Sequence, residues 1–176
     1  MARTRSLDMM EKDLRRMAQR VKALQAQLPM IGGTLAKKQF QRNFDVEGFI
    51  KDGRVNKWKK RVPSKRQNKV LTDRTVLRNS ILARKVSGGF AVGVDLNKVP
   101  YAKLHNEGGK VTVTPKMKKY FWAMYSKTGD ELYKRLALKK PGSIIIMPKR
   151  QYMGYTKDID KAFGRELTAR LNKIFI

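Results

Sequence analysis

The strongest constraint on how this chain can fold lies in its first 28 residues. Leu7, Met10, Leu14, Met17, Val21, Leu24 and Leu28 recur at alternating steps of three and four, which lines them up along one side of an α-helix. Ser6 is a candidate N-cap, and Asp8, Glu11 and Asp13 lie toward the positive end of the helix dipole. Arg15, Arg16, Arg20 and Lys22 follow toward its negative end, and Pro29 is expected to stop the helix. Such a seam has two uses, packing on the chain's own globule or packing between subunits. Leu7, Leu14, Val21 and Leu28 are its candidate partner contacts. The chain then divides into an N-terminal helical arm, 1–30, and a domain, 31–176.

After Gly32-Gly33, Leu35 to Phe44 reads as a second short helix. From Lys51 to Lys69 the periodicity disappears: nine Lys or Arg stand against one acid, Asp52, with Trp58 alone among few apolar residues. This is expected to be an exposed basic loop, about residues 45–70. Trp58, Lys59, Lys60 and Arg61 are its candidate partner contacts. Leu71 to Ser80 reads as a helix capped by Thr72 or Asp73. Leu82–Val86 and Phe90–Val94 form a hairpin through Ser87-Gly88-Gly89. A helical turn carries Tyr101 to His105 and ends at Gly108-Gly109.

Val111–Thr114 is a strand stopped by Pro115. Met117, Tyr120, Phe121, Met124 and Tyr125 have helical spacing, with core packing their expected use. Ile144–Met147 reads as a short buried strand before Pro148. Thr156 caps a last helix with Ile159, Phe163, Leu167, Leu171 and Ile174 on one face. The elements mix without a regular strand–helix alternation. The expected fold is therefore α+β, a small antiparallel sheet packed with helices and preceded by a long N-terminal helix.

Composition narrows the function. Forty-one basic and 14 acidic residues give a net charge of +27, so the chain seeks a polyanion or an acidic protein surface. An apolar fraction of 41% argues against wholesale disorder. Without cysteine, disulfides and thiolate metal sites are excluded. The first residues lack the apolar stretch of a secretory signal, and no apolar run approaches the ~20 residues of a membrane span. A soluble cytoplasmic chain with no membrane contact is expected.

A catalytic reading finds few parts. His105 is the sole histidine, which rules out a multi-histidine metal site, and it reads as a hydrogen-bonded structural residue. Neither a nucleophile elbow nor a phosphate loop occurs, and the Gly88-Gly89 and Gly108-Gly109 pairs read as turns. Of the paired carboxylates, Asp130-Glu131 and Asp158 with Asp160, the second pair already has a role in the first turn of a helix. No catalytic residue, metal or cofactor is expected, and an enzyme is disfavoured. Aromatics interleaved with lysines from Lys116 to Tyr125 keep a non-catalytic nucleic-acid-binding protein as the alternative.

Several short blocks, taken in order, resemble the phage virion morphogenesis family, the tail-completion and head–tail joining proteins of tailed phages and prophages. Trp58 follows a basic, polar run. Leu71-Thr72-Asp73-Arg74-Thr75-Val76-Leu77-Arg78-Asn79-Ser80-Ile81 is similar to the family's Leu-Thr…Gly-x-Leu-Arg-x-Ser-Ile, with Thr75 where the family has Gly. Val92-Gly93 and Tyr101-Ala102-Lys103-Leu104-His105-Asn106-Glu107-Gly108-Gly109 resemble its Val-Gly and Tyr-Ala-x-Ile-His-x-x-Gly. Met147-Pro148-Lys149-Arg150-Gln151-Tyr152-Met153-Gly154 resembles its Met-Pro-x-Arg-Pro-Phe-Leu-Gly, with Gln151 in place of Pro.

The resemblance covers roughly residues 35 to 175, and the stretch from Met117 to Lys140 is longer than the family pattern requires. In physical terms Leu77, Ser80 and Ile81 belong to a packed block. Tyr101 and Leu104 pack the sheet beside His105, while Gly108, Pro148 and Gly154 set turns near Tyr152. Arg78 and Arg150 each offer a fork that holds a carboxylate, either within the chain or across an interface. The resemblance implies a homo-oligomeric ring, with a hexamer expected. Its implied partners are tail tube, connector or head proteins, with non-specific DNA contact secondary. It also implies residence in the host cytoplasm during assembly and then in the virion, at the tail or the head–tail junction.

Overall fold

The computed structural model describes residues 7–61, 69–72 and 75–175. Ser6, Asp73 and Arg74, named above, lie outside them, as do residues 62–68 of the basic stretch. Helix α1 runs unbroken over Leu7–Asp45, with Pro29 inside it. The stop expected at Pro29 does not occur, and the boundary drawn at residue 30 falls within this helix. An interior proline removes one helical hydrogen bond and costs ~3 kcal/mol. Packing on both sides outweighs that cost, because Leu24, Ala36, Phe40 and Phe44 are all buried. Gly32 and Gly33 are not a turn either. A Cβ on Gly32 would sit 2.4 Å from the Phe90 ring, and one on Gly33 would sit 3.0 Å from Ala83 Cβ. They are the places where a sheet lies against the helix.

Strands β1 (Gly48–Lys51) and β2 (Arg54–Lys57) pair antiparallel, with Lys51 opposite Arg54. Asp52 and Gly53 between them have φ of 52° and 74°, the conformation that favours Asp-Gly in two-residue hairpins. Part of the expected basic loop is thus a β-hairpin. The Asp158 carboxylate accepts the Gly53 N–H at 3.0 Å and the Thr156 hydroxyl at 2.8 Å, which pins the turn to the C-terminal helix. These bonds hold the Asp158 carboxyl below its ordinary range.

The helix expected over Leu71–Ser80 contracts to α2, Val76–Asn79, because Leu71 and Thr75 both take left-handed backbone, at φ 63° and 54°. β3 (Ile81–Val86) and β4 (Gly89–Val94) form the expected hairpin, in register from Ile81–Val94 to Val86–Gly89. α3 (Ala102–Glu107) leads into β5 (Gly109–Thr112), which pairs antiparallel with β6 (Ile144–Met147). The chain is α+β, but its strands form three separate two-stranded sheets and not one.

Between β5 and β6 the chain inserts a helical hairpin, α4 (Pro115–Thr128) and α5 (Glu131–Ala137). Thr114 caps α4 by accepting the Met117 N–H, and Asp130 caps α5 by accepting that of Leu132. Asp130 therefore has a structural use. α4 buries no residue completely: of the face expected in the core, Met117, Phe121, Met124 and Tyr125 are half-buried, with Phe121 against Tyr133 of α5, while Tyr120 is exposed, as is Trp122 beside it. β6 also departs from expectation, since Ile146 is 75% exposed. The final helix, α6 (Lys157–Phe175), begins where the Thr156 hydroxyl accepts the Asp158 N–H, and it packs along α1.

The core joins one face of α1 to residues far away in sequence. Ala36, Phe40 and Phe44, spaced by four, pack with Trp58, Leu77, Ile81, Val99, Ala102 and Tyr152. Phe44 meets Trp58 edge-on at 5.5 Å and Tyr152 tilted at 5.2 Å. Each of these rings contributes large buried area and a preferred contact geometry.

Candidate functional site

Between β6 and α6 the chain runs extended and irregular, and buried irregular backbone needs a partner for each N–H and C=O. The neighbouring elements supply them. The Arg150 N–H donates to the His105 carbonyl at 2.8 Å. The Gln151 carbonyl accepts the Trp58 indole N–H at 2.7 Å. Asn106 Oδ1 accepts the Tyr152 and Met153 N–H groups, at 3.0 and 2.9 Å.

Asn43 Nδ2 donates to the Tyr152 carbonyl at 3.0 Å, and its Oδ1 accepts the Ile50 N–H at 3.1 Å. The Tyr152 hydroxyl donates to the Ala102 carbonyl at 3.1 Å. Burial first, and the facing Tyr101 second, push that hydroxyl up to about 12. Four stretches distant in sequence meet here: the end of α1, Trp58, α3 and the Arg150–Met153 segment.

Beside this knot opens a cleft of about 690 Å³, lined by Arg61, Arg150, His105, Tyr101 and Tyr120 with apolar residues from Val70 to Leu77. Arg150 is 7% exposed, and its Nε donates to the Lys59 carbonyl at 3.1 Å. Among the described residues no carboxylate pairs with it. Burial and then the Arg61 charge lower its pKa from the ordinary arginine value. His105 stacks edge-on against Tyr101 at 5.7 Å, and its buried Nδ1 has no hydrogen-bond partner. Burial, then the Arg150 charge, hold its imidazole below the usual histidine range. The cleft is thus a concave surface of cations and phenols backed by apolar side chains.

The anticipated site residues scatter between core and surface. Trp58 is buried, so the indole read as a partner contact is part of the core, while Lys59 and Lys60 beside it are exposed. The α1 seam divides. Leu7 and Leu14 are exposed, Val21 and Leu28 are half-buried, and Leu24 is buried in a groove shared with Ile174 of α6. Arg78 locks α2 to α1 by donating from Nη2 to the Asp45 carboxylate at 3.2 Å and from Nε to the Gln41 carbonyl at 3.5 Å, so the carboxylate is held by one nitrogen and not by a two-pronged fork. Arg150 bonds a carbonyl where a carboxylate was expected.

Leu77 and Ile81 are core, and the Ser80 hydroxyl donates to the Leu77 carbonyl at 2.7 Å. Tyr101 is exposed at the cleft and does not pack a sheet. Gly108, at φ 76°, ends α3 against the Lys149 backbone, where a Cβ would come within 2.9 Å. Pro148 is half-buried just past β6, and the Gln151 amide lies over Gly154. His105 is bonded through its backbone but not through Nδ1.

Two residues that organise the knot, Asn43 and Asn106, escape a reading by residue type. The available signal for Asn43 is its position: a polar residue between Phe40 and Phe44, in phase with the buried face. Among the described residues no three His, Asp or Glu side chains gather to hold a metal ion, and no helix is long and apolar enough to cross a membrane.

The blocks that meet at the knot are those that carried the family resemblance. A family model, that of the phage virion morphogenesis family, matches residues 6–172, taking in α1 as well as the folded part from residue 35 onward. Neither a curated protein nor a solved structure matches. With the match spanning nearly the whole chain and its defining blocks converging on one buried network, this protein belongs to the phage virion morphogenesis family.

Proposed function

We propose that this chain is a non-catalytic structural protein that completes the tail or joins head to tail by assembling as a ring, with six subunits expected. It requires no cofactor. It is made in the host cytoplasm and ends in the virion, where its partners are tail tube, connector or head proteins. The observation that carries this reading is exposed surface. The chain presents 12989 Å² to solvent, whereas a compact monomer of 20.3 kDa exposes about 8,800 Å². The excess is several times the ~800 Å² that each partner contributes to a standard interface.

Part of that excess is apolar: Leu7, Met10 and Leu14 on the outer end of α1, and Ile144 and Ile146 on β6. These are different patches at different elements, which suits head-to-tail contact closing into a ring.

Charge makes the test discriminating. Copies at +27 repel one another, and salt screens that repulsion, with a Debye length of ~10 Å at 0.1 M and ~3 Å at 1 M. Self-association therefore strengthens with salt. Nucleic-acid binding weakens with salt because bound phosphates release counterions. That second reading is favoured by Tyr120 and Trp122, exposed on α4 among Lys116, Lys118 and Lys119. Light scattering at 0.1 and 0.5 M NaCl, with and without purified tails lacking this protein, decides between them. A mass near six times 20.3 kDa, or saturable capture by tails, supports the ring. A strict monomer that ignores tails but binds DNA at low salt overturns it.

A further inference from the structure

Among the described residues, no carboxylate pairs with the Arg150 guanidinium in the cleft beside the buried knot. Arg150 is 7% exposed, only its Nε is engaged among the described residues, and Arg61 shares the cleft with it. A buried arginine without a carboxylate is uncommon. We propose that this cleft is a docking site for an acidic, partly apolar peptide segment of a partner protein, whose carboxylate engages the free nitrogens of Arg150.

The shape favours a peptide over nucleic acid. Arg150 lies where a single side chain can enter, while a duplex presents its phosphates on a broad convex surface. The walls at Val76 and Leu77 suit aliphatic neighbours of the acid, and Tyr101 and Tyr120 at the surface supply the amphipathic contacts common in interfaces. Arg150's planar fork matches a carboxylate in two hydrogen bonds. The chain itself is poor in acid, with 14 Asp and Glu against 41 Lys and Arg, so the negative charge comes most readily from a partner.

His105 reports on the site because it is the sole histidine and lines the cleft with Arg150. Its ring resonances are followed by proton NMR through pH, at constant ionic strength, on the full chain. The probe is a terminally blocked Leu-Glu-Leu tripeptide, with the Leu-Gln-Leu analogue, inorganic phosphate and a twelve-residue oligothymidylate in parallel arms. Neutralising a charge next to the imidazole raises its midpoint, by about half a pH unit or more. The expected result is a saturable upward shift with Leu-Glu-Leu alone, lost in Arg150→Gln.

No shift with Leu-Glu-Leu on the wild-type chain overturns the proposal, so the test stands even if Arg150→Gln does not fold. An equal or larger shift with phosphate or oligothymidylate also overturns it, in favour of a phosphate ligand. Asp73→Asn is the last control, because Asp73 lies two residues from both Leu71 and Thr75 of the lining. If that substitution alone moves His105 and the peptide does not, the cleft serves the chain's own carboxylate and the proposal falls. The readout does not depend on oligomeric state, so its failure is distinct from failure of the ring.

Discussion

Replacing Asn43 with leucine should destabilise the fold by about 3 kcal/mol. The side chain is fully buried, donating to the Tyr152 carbonyl and accepting from the Ile50 N–H. Leucine has nearly the same size and helix-compatible geometry, so the perturbation is chemical. It strands one buried C=O and one N–H, at about 1–3 kcal/mol each, and the leucine's own burial returns about 1–2 kcal/mol. For a chain of this length the loss lowers Tm by about 6–12 °C.

Asn43→Asp sharpens the test. An aspartate keeps the acceptor for Ile50 but sets a charge against the Tyr152 carbonyl, so burial raises its folded pKa above the unfolded ~3.9. A raised folded pKa means the protonated form is the one favoured by folding. The variant's deficit relative to wild type is therefore smallest below the unfolded pKa, where the acid can donate to that carbonyl. The deficit grows as pH rises through the folded pKa. Urea unfolding followed by tryptophan fluorescence reads both, since Trp58 lies inside the knot and donates to Gln151 next to Tyr152. A leucine variant within 1 kcal/mol of wild type, or an aspartate deficit that does not narrow in acid, refutes the claim that Asn43 holds the segment.

Thr75→Gly should raise Tm by about 2–4 °C, because a β-branched residue at φ 54° carries about 1 kcal/mol of backbone strain that glycine removes. Leu14→Asp should leave monomer stability within ~0.5 kcal/mol, since that side chain is 65% exposed, yet weaken self-association measured by light scattering at least tenfold. His105 has a folded pKa below its unfolded 6.5, so its contribution to stability is present above pH 6.5 and lost as pH falls through the depressed value. In His105→Asn, urea midpoints between pH 7 and pH 5 should fall less steeply than in wild type.

Elements with strong local signals were legible in the sequence: the β3–β4 hairpin with its Gly88 turn, α3 ending at Gly108, and α6 beginning at Thr156. Misread elements were those where tertiary contacts outweigh local preference. Pro29 and the two glycines after it look like a helix end, yet α1 continues because β3 and β4 lie on Gly32 and Gly33 and the flanking turns are packed. The β1–β2 hairpin was hidden by its charges, although Asp52-Gly53 carried the turn signal. Aromatic spacing on α4 gave the helix correctly but not the extent of its burial, since a periodic face says nothing about how much of it a neighbour such as α5 covers. At the knot, Trp58 and Tyr152 were visible through the resemblance, while the asparagines joining them were not, because hydrogen-bond closure depends on distant backbone.

Charge and apolar exposure set opposing conditions on this molecule. The apolar residues at the start of α1 and on β6 favour association, while +27 on 176 residues opposes the approach of a second copy. Those two terms balance differently in isolation and in a growing virion. Alone, long-range repulsion is felt before apolar surfaces touch, so under the proposed ring assembly the free subunit would be kept from premature oligomers at low salt. A partner that brings acidic groups removes the repulsion locally and leaves the apolar contacts free to act. Carboxylate capture at the Arg150 cleft and ring closure along α1 would then be coupled without any conformational switch. The first neutralises charge near the site of attachment, and the second exploits what neutralisation permits. On this account a tail or connector acts as the template because of its charge as much as its shape.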